Sequence, residues 1–155
     1  MLDTGCRAQE FVDISLGDVD LTTGEILVRQ GKGGKPRTVC LGAKSLRALL
    51  AYLRYRDLRD PTAPLWATFQ GQRLTYSGVR AIVRRRARCA GVDEPPLHSF
   101  RRAFALSCLR QGMDIFALQR LMGHADLAVL RRYLAQTTED VRSAHRRSGP
   151  VDNLL

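Results

Sequence analysis

Residues 18–41, DVDLTTGEILVRQGKGGKPRTVCL, alternate between runs typical of β-strands and segments typical of turns. The runs at 26–28 and 38–41 consist mainly of branched and aliphatic residues, which pack well in strands. Turns are predicted at 22–25 and 31–36, because the glycine and proline found there favour the backbone angles of tight turns. The stretch therefore predicts a small antiparallel sheet of about three strands.

Helical patterns cover most of the remaining chain. Four leucines recur at the spacing of one helix face, namely Leu46, Leu49, Leu50 and Leu53. Thr75 is a typical N-cap for a helix that extends to about residue 90. After the prolines at 95 and 96, four more helices are predicted, at about 98–111, 114–122, 126–136 and 138–147, with Asp114 and Asp126 as N-caps. The fold class is α+β and mainly α-helical.

Two shorter segments complete this prediction. Residues 65–74 form a short hairpin that carries Trp66, and residues 1–10 resemble the end of a helix that has lost its first turns. The length, with 45% hydrophobic residues, suits one compact domain.

The charge balance indicates a polyanionic partner. The chain has 25 Lys and Arg against 15 Asp and Glu, a formal net charge of +10, and an excess of this size most often accompanies nucleic acid binding. Its four cysteines form no zinc or redox pattern, and no apolar stretch approaches the roughly 20 residues of a membrane span. We therefore predict a protein without a membrane partner, cytoplasmic or associated with the nucleoid.

Arginine is concentrated in the helix predicted after Thr75. Five of its nine residues from 80 to 88 are arginines, at positions 80, 84, 85, 86 and 88. A run of this kind is either a solvated face or a helix lying along a phosphate backbone, and the sequence favours neither.

Lysine, by contrast, is rare and placed at the predicted turn. Of the 25 basic residues 22 are arginine, and two of the three lysines, Lys32 and Lys35, lie in GKGGK. A lysine ammonium can be tuned to release a proton, whereas arginine stays protonated. A solvated hairpin turn is the alternative, but the choice of lysine fits a proton donor.

Other candidate residues are ambiguous one at a time. His98 and Arg101 are three residues apart at a helix start. They are either a pair that meets one ligand or a capping histidine beside a surface arginine. Arg7 suits an ordinary salt bridge with Glu10. In LMGHADLAVLRRYL, residues 121–134, the histidine at 124 lies in a turn and the tyrosine at 133 borders an apolar stripe, a position more typical of a core residue.

Taken together and in order, these motifs resemble the catalytic domain of the tyrosine recombinases, the family of phage integrases and Xer-type resolvases. TGCRAQEF is similar to the family's T-G-x-R-x-x-E box and GKGGKPRTVCLG to its β-hairpin. HSFRRAFA resembles its H-x-L-R box, and LMGHADLAVLRRY its L-x-G-H…Y box. Phe100 and Arg102 replace a usual leucine and a frequent histidine, neither at a catalytic position.

The resemblance implies DNA strand exchange without a metal, another cofactor or an external energy source. It implies six catalytic residues: Arg7, Lys32, His98, Arg101, His124 and Tyr133. Tyr133 would be the nucleophile, Arg7 and Arg101 the phosphate clamp, and Lys32, rather than Lys35, the general acid. His98 would assist proton transfer, and His124 would donate a hydrogen bond to the phosphate. The partner would be double-stranded DNA, in a synaptic homo-tetramer formed by a protein that is a monomer when free.

The resemblance also implies a domain organisation. Residues 1–148 would form a catalytic domain that lacks its first helices, residues 149–155 a tail, and the family's N-terminal core-binding domain would be absent. Two other functions stay open, a nicking enzyme resembling type IB topoisomerases and a non-catalytic DNA-binding remnant. The spacing of G-H…Y and the GKGGKPR hairpin favour a recombinase over a topoisomerase.

Overall fold

The computed structural model describes residues 1–29 and 36–123, together with residues 142, 145, 146, 148, 149 and 151. The chain divides into two compact units, Met1–Ala125 and Asp126–Leu155. The first unit contains helices α1 (Ala8–Asp13), α2 (Ala43–Leu53), α3 (Tyr76–Ala90), α4 (Leu97–Arg110) and α5 (Ile115–Met122), and strands β1 (Glu25–Val28) and β2 (Arg37–Cys40). In the second unit, residues 142, 145 and 146 of the predicted helix 138–147 are helical.

The sheet of the described residues has two strands rather than the predicted three. β1 and β2 are antiparallel, with Ile26 opposite Val39 and Val28 opposite Arg37. The expected first strand is reduced to a single bridge between Val19 and Ile26. The chain turns immediately after this bridge, because the Asp20 carboxylate accepts hydrogen bonds from the next backbone N–H groups, at residues 22 and 23.

The core lies between the sheet and α2. Alternation along β1 buries Ile26 and Val28, and the helical spacing of α2 brings Leu49 and Leu53 against them. A second apolar cluster joins Val12, Val79 and Leu97, from α1, α3 and α4. These two clusters fix the first and fourth helices relative to the strands, which is the arrangement that builds the site described below.

The predicted helix signals act as expected in α3 and α5. The Thr75 hydroxyl accepts the N–H of Gly78 at 3.1 Å, and α3 ends at Gly91, whose φ of 67° is the left-handed conformation that glycine adopts most readily. Asp114 accepts two backbone N–H groups at the start of α5. The predicted helix at 126–136 and its cap Asp126 lie outside the described residues.

The N-terminal prediction is wrong. A helix begins, rather than ends, within the first ten residues, since Arg7 is the N-cap of α1. The hairpin predicted at 65–74 is present as one antiparallel bridge between Ala67 and Arg73. Among the described residues, no helix is long and apolar enough to cross a membrane.

Candidate active site

Three arginines from distant parts of the chain converge on one buried carboxylate, that of Glu10 in α1, which is 8% exposed. Arg7 donates from Nη1 to Oε1 at 2.6 Å. Arg37, the first residue of β2, donates to both carboxylate oxygens, at 3.0 and 2.6 Å. In α4, Nη1 of Arg101 lies 4.0 Å from Oε2. We call these four residues the arginine cluster.

Arg7 is held by the start of its own helix. The Glu10 carboxylate accepts the backbone N–H of Arg7 at 2.8 Å, a capping interaction that also places the two side chains together. The side chain of Arg7 remains 31% exposed. The salt bridge expected between these two residues is therefore present, and it leaves part of the Arg7 guanidinium accessible to a ligand.

Arg101 is buried and fixed by two backbone carbonyl groups. It is 2% exposed; Nη1 donates to the carbonyl oxygen of Gly5, and Nη2 donates to that of Met122 at 2.6 Å. Gly5 has a φ of 62°, and a Cβ there would overlap the ring of Phe104. Only glycine therefore allows this loop to approach α4 so closely, which explains why glycine stands two residues before Arg7.

His98 lies one turn before Arg101 in α4, as the sequence predicted, and its side chain is exposed. The two residues differ in burial: Arg101 points into the protein, whereas His98 is accessible at the start of the helix. The histidine is thus accessible to a ligand from solvent, whereas Arg101 is enclosed by the protein.

The surroundings in the arginine cluster shift the pKa of two of its members, Glu10 and Arg101. Burial raises the pKa of Glu10, but hydrogen bonds from Arg37 and Arg7 outweigh this effect and hold the pKa at about 2. Burial and the nearby charge of Arg7 lower the pKa of Arg101 to about 10, against the opposing effect of Glu10. Guanidinium groups carry a positive charge at neutral pH, and the low pKa of Glu10 keeps its carboxylate ionised, so the three arginines and Glu10 together have a net charge of +2.

Three of the six predicted catalytic residues are described: Arg7, His98 and Arg101. Lys32, His124 and Tyr133, together with Lys35, lie outside the described residues. Arg37 was missed as a site residue, although the alternation from the buried Val39 places it on the inner face of β2. An arginine at an inward position of a strand was the available signal.

Comparison with known proteins identifies the family of this chain. Residues 1–140 match the model of the phage integrase family. The chain belongs to the phage integrase family. The expected resemblance is thereby confirmed, and the mainly helical fold with a small antiparallel sheet is that of the family's catalytic domains.

Relatives of this integrase-family chain include tyrosine recombinases. It is 33% identical to the tyrosine recombinase XerC of Leptospira interrogans over 154 residues, 97% of this chain and 49% of XerC. The crystal structure of XerA recombinase matches 94% of this chain and 54% of its own, with 30% identity and a TM-score of 0.78. A XerH recombinase bound to difH substrate in a post-cleavage complex matches 92% of this chain and 42% of its own, with 27% identity and a TM-score of 0.70. The chain therefore spans about half the length of these relatives.

The low pKa of Glu10 predicts how the stability of this integrase domain depends on pH. A carboxylate whose pKa is depressed in the folded state stabilises the fold above its unfolded value, near 4.5, and this contribution is lost as the pH falls toward 2. We expect the free energy of unfolding to fall by up to roughly 3 kcal/mol over that range, at about 1.4 kcal/mol per pH unit. Urea unfolding at several pH values measures the loss.

The matched variants are Glu10→Gln and Asp13→Asn, which change a buried and an exposed carboxylate of the same helix. Glu10→Gln should be less stable than the wild type at neutral pH and approach it as the pH nears 2, whereas Asp13→Asn should keep the acid-induced loss. Parallel curves for the wild type and Glu10→Gln would contradict the assignment.

Proposed function

We propose that this chain is the catalytic domain of a site-specific DNA recombinase of the tyrosine type. The observation that carries the proposal is the arginine cluster, with a partly exposed Arg7 and a buried Arg101 held by two carbonyls, together with an exposed His98 three residues before Arg101 in α4. Planar guanidinium donors suit the non-bridging oxygens of a phosphodiester and the charge that develops on them during attack. The net charge of the cluster is opposite to that of the substrate.

The proposed first step exchanges one phosphoester bond for another. The hydroxyl oxygen of Tyr133 attacks the scissile phosphorus, the bond from phosphorus to the 5′ oxygen breaks, and a 3′-phosphotyrosyl intermediate forms. Lys32 donates the proton that the departing 5′ oxygen takes up, and His98 assists removal of the tyrosine proton, because a phenol with a pKa near ~10 is a weak nucleophile at neutral pH. His124 donates a hydrogen bond to a non-bridging oxygen.

Strand exchange follows by reversal of this chemistry on a partner duplex. The free 5′-hydroxyl of one duplex attacks the phosphotyrosyl bond of the other and releases the tyrosine. Because each ester replaces another of similar energy, no nucleotide cofactor is required. Two rounds, linked by a Holliday junction, require four active sites and hence a synaptic tetramer.

The arginines of α3 are proposed to contact the DNA backbone. All five are exposed, and Arg80 forms an ion pair with Glu94 at 3.0 Å. The XerH relative was solved in a post-cleavage complex with its difH substrate, and we propose double-stranded DNA as the partner of this chain. An arginine-rich helix face lying on phosphates provides affinity without reading base sequence.

Replacing Arg84 and Arg88 by glutamine should weaken DNA binding at all sequences. The plot of log affinity against log salt concentration should become shallower by about one per lost phosphate contact. Fluorescence anisotropy with a labelled duplex at several salt concentrations measures this slope. Arg59→Gln is the control, because Arg59 is exposed but paired with Asp57 in a loop, and it should leave the slope unchanged. An unchanged slope in the double variant would place the DNA elsewhere.

Covalent capture tests the proposed function. Duplexes are first selected for binding from a randomised library and from flanking genomic DNA, and then carry a nick that lets the cleaved end diffuse away. The chain is assayed alone and fused to the N-terminal half of a relative, and a protein–DNA adduct is detected by denaturing electrophoresis. Absence of an adduct in both forms would refute catalysis and favour a DNA-binding remnant. Relaxation of supercoiled DNA without strand exchange would favour the topoisomerase-like function.

The proton-donor role of Lys32 predicts a specific chemical rescue. Lys32→Ala should reduce adduct formation by about 10²- to 10⁴-fold, the usual contribution of a general acid. A substrate with a 5′-thiol leaving group needs no proton and should restore the rate to near that of the wild type. Lys35→Ala, in the same GKGGK sequence, is the control and should behave as the wild type on both substrates. Failure of the thiol substrate to rescue Lys32→Ala would exclude this role.

A further inference from the structure

Arg37 is the one arginine of the arginine cluster that the proposed chemistry does not use. Its side chain is only 9% exposed. Two of its nitrogens bind the two oxygens of Glu10, at 3.0 and 2.6 Å, and its Nε donates to the carbonyl oxygen of Leu121 at 2.8 Å. All three nitrogens therefore bind the protein itself, which makes Arg37 a part of the frame rather than a ligand for DNA.

The contact with Leu121 lies next to the contact that holds Arg101. Leu121 and Met122 are the last two residues of α5, where carbonyl groups lack partners within the helix. Arg37 binds the first of these carbonyls and Arg101 the second. Gly123, with a φ of 62°, follows so closely that a Cβ there would lie 3.0 Å from Cδ of Arg37. The end of α5 is thus packed and hydrogen-bonded against Arg37.

The charge of Arg37 also affects the other arginines. Glu10 is the carboxylate shared by the cluster, and Arg37 engages both of its oxygens, whereas Arg7 reaches one oxygen with its side chain. Without Arg37, the negative charge of Glu10 would be balanced by Arg7 and Arg101 alone, and less positive potential would face a phosphate. Arg37 compensates Glu10 at a position that solvent barely reaches.

We propose that Arg37 is a positioning residue for the phosphate-binding arginines: it compensates the charge of Glu10, and it fixes the end of α5 whose Met122 carbonyl holds Arg101. This inference rests on the proposed function for the roles of Arg7 and Arg101. It also gives a role to the arginine of the KPR sequence at 35–37, which lies two residues after Lys35.

The first test compares cleavage rates with DNA affinity on the selected nicked duplex. Arg37→Gln should slow adduct formation at saturating DNA by about 10- to 100-fold, as is usual for residues that orient a catalytic group. Its affinity for the duplex should stay within about threefold, because all three guanidinium nitrogens of Arg37 already bind Glu10 and the Leu121 carbonyl. Arg29→Gln is the control, since Arg29 extends from the neighbouring strand and pairs with Asp18 outside the cluster. A full cleavage rate in Arg37→Gln would overturn the proposal.

A double variant separates charge compensation from simple loss of structure. In Glu10→Gln/Arg37→Gln both members of the ion pair are neutral. The net charge of the cluster then comes from Arg7 and Arg101 alone and returns to +2. We expect this double variant to cleave about tenfold faster than Arg37→Gln, although more slowly than the wild type. Arg37→Lys keeps the charge but not the bidentate geometry, so its cleavage rate should lie between those of Arg37→Gln and the wild type. If the fold-losses in cleavage rate of the single variants Glu10→Gln and Arg37→Gln instead multiply in the double variant, charge compensation is excluded.

Hydrogen exchange provides a readout that does not depend on activity. The amide of Gly123 donates to the carbonyl of Arg120 at 3.1 Å and reports on the last turn of α5. Amides 120–123 should exchange about tenfold faster in Arg37→Gln and at the wild-type rate in Arg29→Gln. If the wild type forms no adduct, the proposed function fails while this measurement still decides the positioning role. Unchanged exchange would refute that role.

Discussion

Replacing Tyr133 with phenylalanine should abolish the covalent protein–DNA adduct, with a loss on the order of 10⁴-fold or more. The change removes one oxygen atom, the proposed nucleophile, and keeps the aromatic ring. Non-covalent binding to the duplex should remain within about threefold of the wild type, because binding does not require the hydroxyl. Adduct is measured by denaturing electrophoresis and binding by anisotropy on the same duplex.

The control for this variant is Tyr55→Phe. Tyr55 is 90% exposed and follows α2, away from the arginine cluster, and its loss should have no effect on the adduct. Persistence of adduct in Tyr133→Phe would assign the nucleophile to another residue. Loss of both adduct and binding would instead indicate that the hydroxyl of Tyr133 supports the fold or the DNA-binding surface.

Replacing Arg101 with alanine should produce the second large effect, on both activity and stability. A permanently charged guanidinium at a phosphoryl group contributes about 10³- to 10⁵-fold to the rate of transfer. The same substitution leaves the carbonyls of Gly5 and Met122 without their buried donor and opens a cavity, so we also expect a loss of about 3–5 kcal/mol in the free energy of unfolding.

Arg101→Lys separates these two effects. Lysine keeps a positive charge but cannot donate to both carbonyls in a fixed plane, so it should recover part of the stability and little of the cleavage rate. Urea unfolding and adduct formation are compared in the same preparations. Arg110→Ala, an exposed arginine of the same helix, is the control and should retain both. Wild-type cleavage by Arg101→Lys would show that the planar geometry is dispensable.

Local signals made much of the fold predictable. Helix α3 begins after its N-cap Thr75, whose hydroxyl accepts a backbone N–H three residues later, and it ends at Gly91. The Asp114 side chain caps the start of α5 in the same way as Thr75. The prediction of a third strand, before β1, was wrong because strand pairing competes there with a turn. The β-rich composition of the segment favours a strand, but the Asp20 carboxylate binds the next N–H groups and bends the chain after one bridge.

The site was predictable only in part, because its assembly is non-local. The spacing of His98 and Arg101 follows from the helix period, and the pairing of Arg7 with Glu10 from the start of α1. No local pattern brings residues 7, 37 and 101 together; the family resemblance supplied the expectation for Arg7 and Arg101 only. Arg37 required the three-dimensional contacts, since its role depends on a carbonyl 84 residues away.

The arginine cluster has a thermodynamic consequence for the domain as a whole. Three guanidinium groups held around one carboxylate repel each other, and the lowered pKa of Arg101 reflects that repulsion together with burial. Any anion that binds there relieves part of the repulsion, so occupancy and folding are linked. Oligonucleotides that reach the cluster should therefore act as folding ligands and raise the melting temperature of the domain.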